Sequence, residues 1–328
     1  MDFSTKYLGL TLAHPFMIGA SPLSDHLDTV RRLEDGGASA LVLRSLFEEQ
    51  ITIAQSGKIH QMDPFEQQFA DALSGFPAPE RYAFSPDGYL EHVRRVKAAV
   101  RIPVIASLNG MTQESWLAFA SKLEQAGADA IELNMYELVT EATESSVSVE
   151  TRIRNTVVEL KRHLHTPVAV KVLPYFTAFG NFAHQLDSAH VDGLILFNRF
   201  YEPDVDIGSM MFVPRVELST SAELPLRLHW AATLHGLVHC SIAITGGVAK
   251  PIDGVKALLA GAHAVQLVSA ILRHGPGYFG VMRDGLSQWM QAHEFTSLQQ
   301  VRGRIDGRRN TDLTERANYI RTLQSWGN

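Results

Sequence analysis

Cysteine is nearly absent. Cys240 is the one thiol in 328 residues, which excludes an internal disulfide and a cysteine-built zinc or iron–sulfur centre and suits a reducing compartment. Long apolar runs are missing too; none approaches the about 20 residues that a membrane-spanning helix needs. There is no basic excess, because 29 Lys+Arg face 35 Asp+Glu for a formal charge of -6, so no field draws nucleic acid or anionic lipid to the surface. The first residues show no charged stretch leading into an apolar one, so no signal peptide is visible. These absences predict a cytoplasmic chain without nucleic-acid or membrane partners. No linker, repeat array or low-complexity segment divides the chain, which reads as one domain over 1–328. His229, His235 and His239 share a helical spacing but lack an acidic ligand at metal-site spacing, so no metal is expected.

What is present is a sizeable hydrophobic fraction, 45%, arranged in short apolar runs that alternate with helix-like stretches. The runs at 16–20, 40–44, 104–108, 130–133, 168–172, 193–197, 242–245 and 264–267 number eight. Most are apolar throughout, as in parallel strands with helices on one face and a barrel interior on the other. Tight turns at Gly36-Gly37, Gly127 and Gly261 precede strands, as a left-handed cap at a helix end allows. The pattern predicts an α/β fold, a (β/α)8 TIM barrel. Residues 3–16 read as a β-hairpin plugging its far end, and 278–293 as a closing helix. Two connections, 45–101 after the second strand and 199–228 after the sixth, are too long for an ideal barrel. They leave from strand C-termini, where barrel enzymes place their chemistry, and are candidates for a substrate lid and wall.

Two constellations could carry chemistry. Gly246-Gly247 follows the seventh strand and Val268-Ser269 the eighth, the loops that commonly bind phosphate in barrels; alone, the glycines would only make a turn. Polar residues also stand at strand ends: Ser21, Arg44, Asn109, Asn134, Lys171 and Asn198. Lys171, inside the apolar strand 168–172, needs an anion or an electron-rich ligand; an internal pair with Glu132 is the plain alternative. Arg44 suits a bidentate carboxylate clamp or a salt bridge capping the barrel.

The stretches His14-Pro15-Phe16-Met17, Glu132-Leu133-Asn134, Val170-Lys171-Val172-Leu173-Pro174-Tyr175-Phe176, Asn198, Thr245-Gly246-Gly247 and Gly275-Pro276 together resemble the dihydroorotate dehydrogenase family, and the fifth-strand stretch resembles its soluble class 1 branch. The resemblance implies FMN as cofactor and oxidation of dihydroorotate or a related dihydropyrimidine by hydride transfer to flavin N5. It implies that Ala20, Ser21, Asn109, Asn134 and Lys171 line the flavin and that Gly246, Gly247, Val268 and Ser269 hold its phosphate. It also implies that Arg44, Ser74, Gly75, Asn134 and Asn198 meet the substrate. A fixed Lys171 cation near flavin N1 would favour the anionic reduced form.

The sequence departs from the family around the substrate. The family's Cys or Ser base is missing, and Glu137 stands in its place, either as a carboxylate base or as a solvated loop residue. Arg44 replaces the second-strand Lys, and Arg199 a hydroxyl residue. Catalytic candidates are therefore Glu137, Lys171 and Arg44. Rival readings are an FMN barrel with another substrate and a separate redox partner, a flavin-free lyase or isomerase using Lys171 as a Schiff-base nucleophile, and a flavoprotein serving only as a subunit. A homodimer is the default assembly.

Overall fold

The computed structural model describes residues 1–56, 82–110, 113–199, 203–213, 217–305 and 315–325. An antiparallel hairpin, β1 (Thr5–Tyr7) and β2 (Leu10–Leu12), opens the chain. The parallel strands β3 (Phe16–Ile18), β4 (Leu41–Phe47), β5 (Val104–Asn109), β6 (Ala130–Met135), β7 (Val168–Val172) and β8 (Gly193–Leu196) follow. A second hairpin, β9 (Asp204–Asp206) and β10 (Met211–Val213), precedes β11 (Ser241–Thr245) and β12 (Ala264–Leu267). Strands β3 to β8 with β11 and β12 close into an eight-stranded barrel in which β12 returns to β3, the (β/α)8 architecture expected from the spacing of the apolar runs. No helix among the described residues is long and apolar enough to cross a membrane.

Strands alternate inward and outward side chains, and the barrel sorts them into two cores. Outward residues such as Leu133, Val170 and Val172 pack on the helices. Inward ones form a smaller cluster: Met17, Ala40, Val42, Ile105, Ala130, Ala169, Ile195, Ala243 and Ala264, joined by Tyr7, Leu8 and Leu12 of the hairpin. Five of the inward residues are alanines, which leaves room for the hairpin to fill their end of the barrel. A Cβ on Gly193 would stand 2.4 Å from Leu8 Cδ2. The expected plug is thus a packing requirement of the barrel floor.

The structure departs from expectation in the two long connections. The second barrel strand does not stop at Arg44; β4 runs to Phe47, with a register shift between Val42 and Ser45. The polar pair Arg44-Ser45 hid this extension, yet Ser45 Oγ lies 2.8 Å from Ser107 Oγ and Leu46 rejoins the core. A helix at Glu48–Ser56 follows, and Ser74 and Gly75 lie outside the described residues. The connection after β8 carries the β9–β10 hairpin, which exposes Ile207, Met210, Met211 and Phe212. Cys240 is buried, and burial pushes its thiol above the ordinary range, which fits a small core residue and not a nucleophile.

Replacing Leu12, which is fully buried in the plug, by Ala should cost about 2–5 kcal/mol, read as a lower midpoint in denaturant unfolding. A second expectation concerns acid. His263 is buried, and burial, helped by the charges of Arg302 and His235, lowers its pKa from 6.5 to about 4; its Nδ1 accepts the Ile242 N–H at 3.0 Å. The native state therefore favours neutral imidazole while the unfolded chain takes up the proton, so this contribution is complete above pH 6.5 and lost as pH falls toward 4. The loss should reach about 3 kcal/mol. Unfolding curves of His263→Asn across that window should show a flatter pH dependence than wild type.

Candidate active site

The inward positions nearest the C-terminal ends of the strands are polar. On β6 the order Ala130, Glu132, Asn134 places Glu132 inside the barrel and Asn134 at its mouth, and register sets Lys171 of β7 beside Asn134. Glu132 has no exposed surface. Its carboxylate lies 3.3 Å from Lys171 Nζ and accepts from Gln266 Nε2 of β12 at 2.7 Å, so the internal partner foreseen for Lys171 is present. Removing two charges from water is expensive, and a further hydrogen bond, here from Gln266, is what such a pair requires. Gln266 was not singled out in the sequence, although a glutamine in the apolar strand Ala264–Leu267 carried the signal. Its Oε1 and the Oγ of Ser21, after β3, are buried without a hydrogen-bond partner.

Around the mouth, Asn109, Asn134, Lys171 and Asn198 fall on or just after consecutive strands, β5 to β8. Register pairs Asn109 with Asn134, and Asn198 Nδ2 donates to Asn134 Oδ1 at 2.6 Å. Arg44, on β4, meets Asp25 at 2.9 Å, which realises the salt-bridge alternative. Ser24 braces this corner: its Oγ accepts from the Arg44 N–H at 2.8 Å, and its carbonyl lies 2.7 Å from His92 Nε2. Burial pushes the Asp25 carboxyl up despite the guanidinium. Asp25 escaped the sequence reading because it lies in a short loop with no periodicity. Arg199 pairs with Glu223 at 3.5 Å.

Glu137 is neither free nor simply solvated. It pairs with Arg152, which also holds Glu144 at 2.5 Å, and its side chain is 16% exposed. These contacts raise the Arg152 pKa, the Glu144 hydrogen bond most of all. Glu137 lines a cleft of about 290 Å³ with Met135, Leu173, Tyr175 and Phe176. No group of three or more His, Cys, Asp or Glu among the described residues could hold a metal.

The phosphate candidates end neighbouring strands, since Thr245 pairs with Gln266. Gly246 and Gly247 both take φ near +78°, which turns the chain where side chains have no room: a Cβ on Gly247 would stand 2.6 Å from Leu224 N, and one on Gly246 2.9 Å from Arg227 Nη2. Arg227 is buried here, donating from Nε to the Thr245 carbonyl at 2.5 Å and from Nη1 to that of Glu223 at 2.7 Å. Burial lowers its pKa. Sequence reading missed it inside a helix. The Ser269 hydroxyl accepts the Ser219 N–H at 3.0 Å and so also secures the wall after β8.

The model of the family described as dihydroorotate dehydrogenase matches residues 85–290, well over half of the chain. The chain belongs to that family. Similar proteins include the dihydroorotate dehydrogenase B (NAD(+)) catalytic subunits of Thermoplasma volcanium, 26% identical over 92% of this chain and 98% of the relative, and of Thermoplasma acidophilum, 25% identical over the same shares. That of Methanothermobacter thermautotrophicus is 26% identical over 91% of this chain and 97% of its own length. Membership makes this dihydroorotate dehydrogenase-type chain an oxidoreductase acting on a CH–CH group, in a flavin-dependent family.

Glu132→Ala, which leaves the Lys171 ammonium buried without its partner, should cost about 3–5 kcal/mol. The double variant Glu132→Leu with Lys171→Met should unfold at markedly higher denaturant than that single variant; equal midpoints would remove the pair from the account of stability.

Proposed function

We propose that this chain is an FMN-binding dehydrogenase that oxidises dihydroorotate or a related dihydropyrimidine. The observation that carries the reading is Lys171, a buried cation among Asn109, Asn134 and Asn198 at the barrel mouth. The Gly246–Gly247 turn stands at the same end of the barrel. The residues suit the group: the Gly246–Gly247 turn carries no side chain at the end of β11, and Ser21 Oγ and Gln266 Oε1 are buried polar atoms still lacking partners. Arg227 adds a buried guanidinium beside that turn. Bound there, FMN would supply a two-electron acceptor for hydride from the ring's C6.

The protein's own part is to place charge and take up a proton. Lys171 is a fixed cation where negative charge grows on flavin reduction, and Glu132 with Gln266 holds it there. Asn134 and Asn198, already joined to each other, present an amide pair to flavin and ring. Glu137 is the acceptor for the C5 proton, oriented by Arg152 on the wall of the cleft. Schiff-base chemistry needs a free amine, and Lys171 is committed to an ion pair, which weighs against the lyase reading. That the relatives are catalytic subunits, together with a single cysteine here, supports a separate redox partner that accepts the electrons.

The visible absorption spectrum of the purified protein, followed without oxygen while dihydroorotate is added, tests this. Flavin bands that bleach are expected, and a colourless protein that FMN cannot reconstitute would overturn the cofactor. Lys171→Ala should lower flavin retention or slow reduction at least tenfold. Glu137→Gln should slow reduction by about 10²-fold or more while flavin stays bound, and unchanged kinetics would remove Glu137 from the reaction.

A further inference from the structure

On the proposed function, Arg44 is the guanidinium for a ring carboxylate, and the chain has already given it a carboxylate of its own. Asp25 Oδ2 lies 2.9 Å from Arg44 Nη2. The pair is sheltered, with the Asp25 side chain 14% exposed and that of Arg44 34% exposed. It is also incomplete: Arg44 Nε and Asp25 Oδ1 are both buried without a hydrogen-bond partner, as is Ser21 Oγ. A bidentate pair would satisfy both atoms at once; this one leaves a donor and an acceptor without partners, at a cost of about 1–3 kcal/mol each.

We propose that Asp25 determines substrate specificity: by occupying Arg44 it turns the mouth against rings bearing a carboxylate and toward neutral cyclic amides. This rests on the proposed flavin dehydrogenase and names its substrate class, a dihydropyrimidine without the ring carboxylate. An anionic ring brings only acceptors and would face Asp25 with like charge in a partly desolvated corner. A neutral ring sets no like charge against Asp25 and does not need the guanidinium that Asp25 already occupies. Asn134 and Asn198, joined through one side of each amide, offer it an amide edge. The oxidation is otherwise unchanged. The C6–H bond breaks with its electron pair going to the flavin as hydride, the C5 proton leaves to a base, and the C5=C6 double bond forms.

The test compares uracil with orotate as ligands, by equilibrium dialysis against the purified protein with and without added FMN, and dihydrouracil with dihydroorotate as anaerobic reductants. Wild type should bind uracil at least tenfold more tightly than orotate, and dihydrouracil should bleach the flavin faster. Asp25→Asn, which keeps the shape and removes the charge, should tighten orotate binding tenfold or more and leave uracil within a few-fold. Orotate bound as tightly as uracil by wild type sinks the inference, as does an unchanged ratio in Asp25→Asn or failure to bind either ring. If Asp25→Asn does not fold, the wild-type ratio decides alone. Loss of the flavin reading shows separately as an absent visible spectrum, while the dialysis ratio still reports on Asp25.

Discussion

A carboxylate with no contact to water, Glu132, stands inside the barrel, and the arrangement of the active end follows from the need to satisfy it. Burying an ion uncompensated costs several kcal/mol, so β6, which carries Glu132, must have β7 bring Lys171 and β12 bring Gln266 to the same height. Tyr7 of the plug comes close enough that, after burial, the Glu132 charge is the next cause of its raised pKa. Strand register admits no compromise here. A slip of one residue on β6 would turn Glu132 into the helix layer and Leu133 into the barrel. Fixing Glu132 inward also fixes Asn134 inward and Met135 outward, so the groups at the mouth inherit their positions from an interaction one turn of the pleat below them.

Three charged groups at this end have partners within the chain. Lys171 has Glu132, Arg44 has Asp25, and Glu137 has Arg152. A site that relied on a free cation to capture an anion would leave that cation exposed to solvent and open to any passing carboxylate. These pairs create local dipoles of defined direction and little net field, which is the form of electrostatics that acts on charge developing during a reaction more than on charge already present in the substrate.

The sequence made the barrel legible because its strands must be apolar on the outward face. The runs 168–172 and 264–267 coincide with β7 and β12, and the hairpin plug showed itself through Leu8-Gly9-Leu10. Lys171, Asn134 and the Gly246–Gly247 turn could be found for the same reason, as polar or glycine interruptions of a regular pattern. The misses are residues whose partners lie far along the chain or in aperiodic loops. Arg44 and Ser45 read as the end of a strand because their polarity is matched by Asp25 and Ser107, which no local pattern connects to them. Arg227 resembled any helix-borne arginine until folding laid it against Gly246. The β9–β10 hairpin hid behind Asp204, Asp206 and Gly208, which read as turn residues.

That division separates the groups borne by strands from the carboxylates borne by loops. Groups borne by strands are constrained twice, by barrel closure and by the buried pair at Glu132, so changing Asn134 or Lys171 would cost stability as well as chemistry. Asp25 and Glu137 sit in loops after β3 and β6, where closure imposes nothing and a new carboxylate needs only one cation within reach: Arg44 for the first, Arg152 for the second. Loop charges can therefore be exchanged against a barrel whose strand-borne groups cannot easily change. The pairing of each loop carboxylate with its own arginine is what such an exchange requires, because an unpaired acid introduced beside the barrel mouth would be neutralised or would unseat the strand ends it faces.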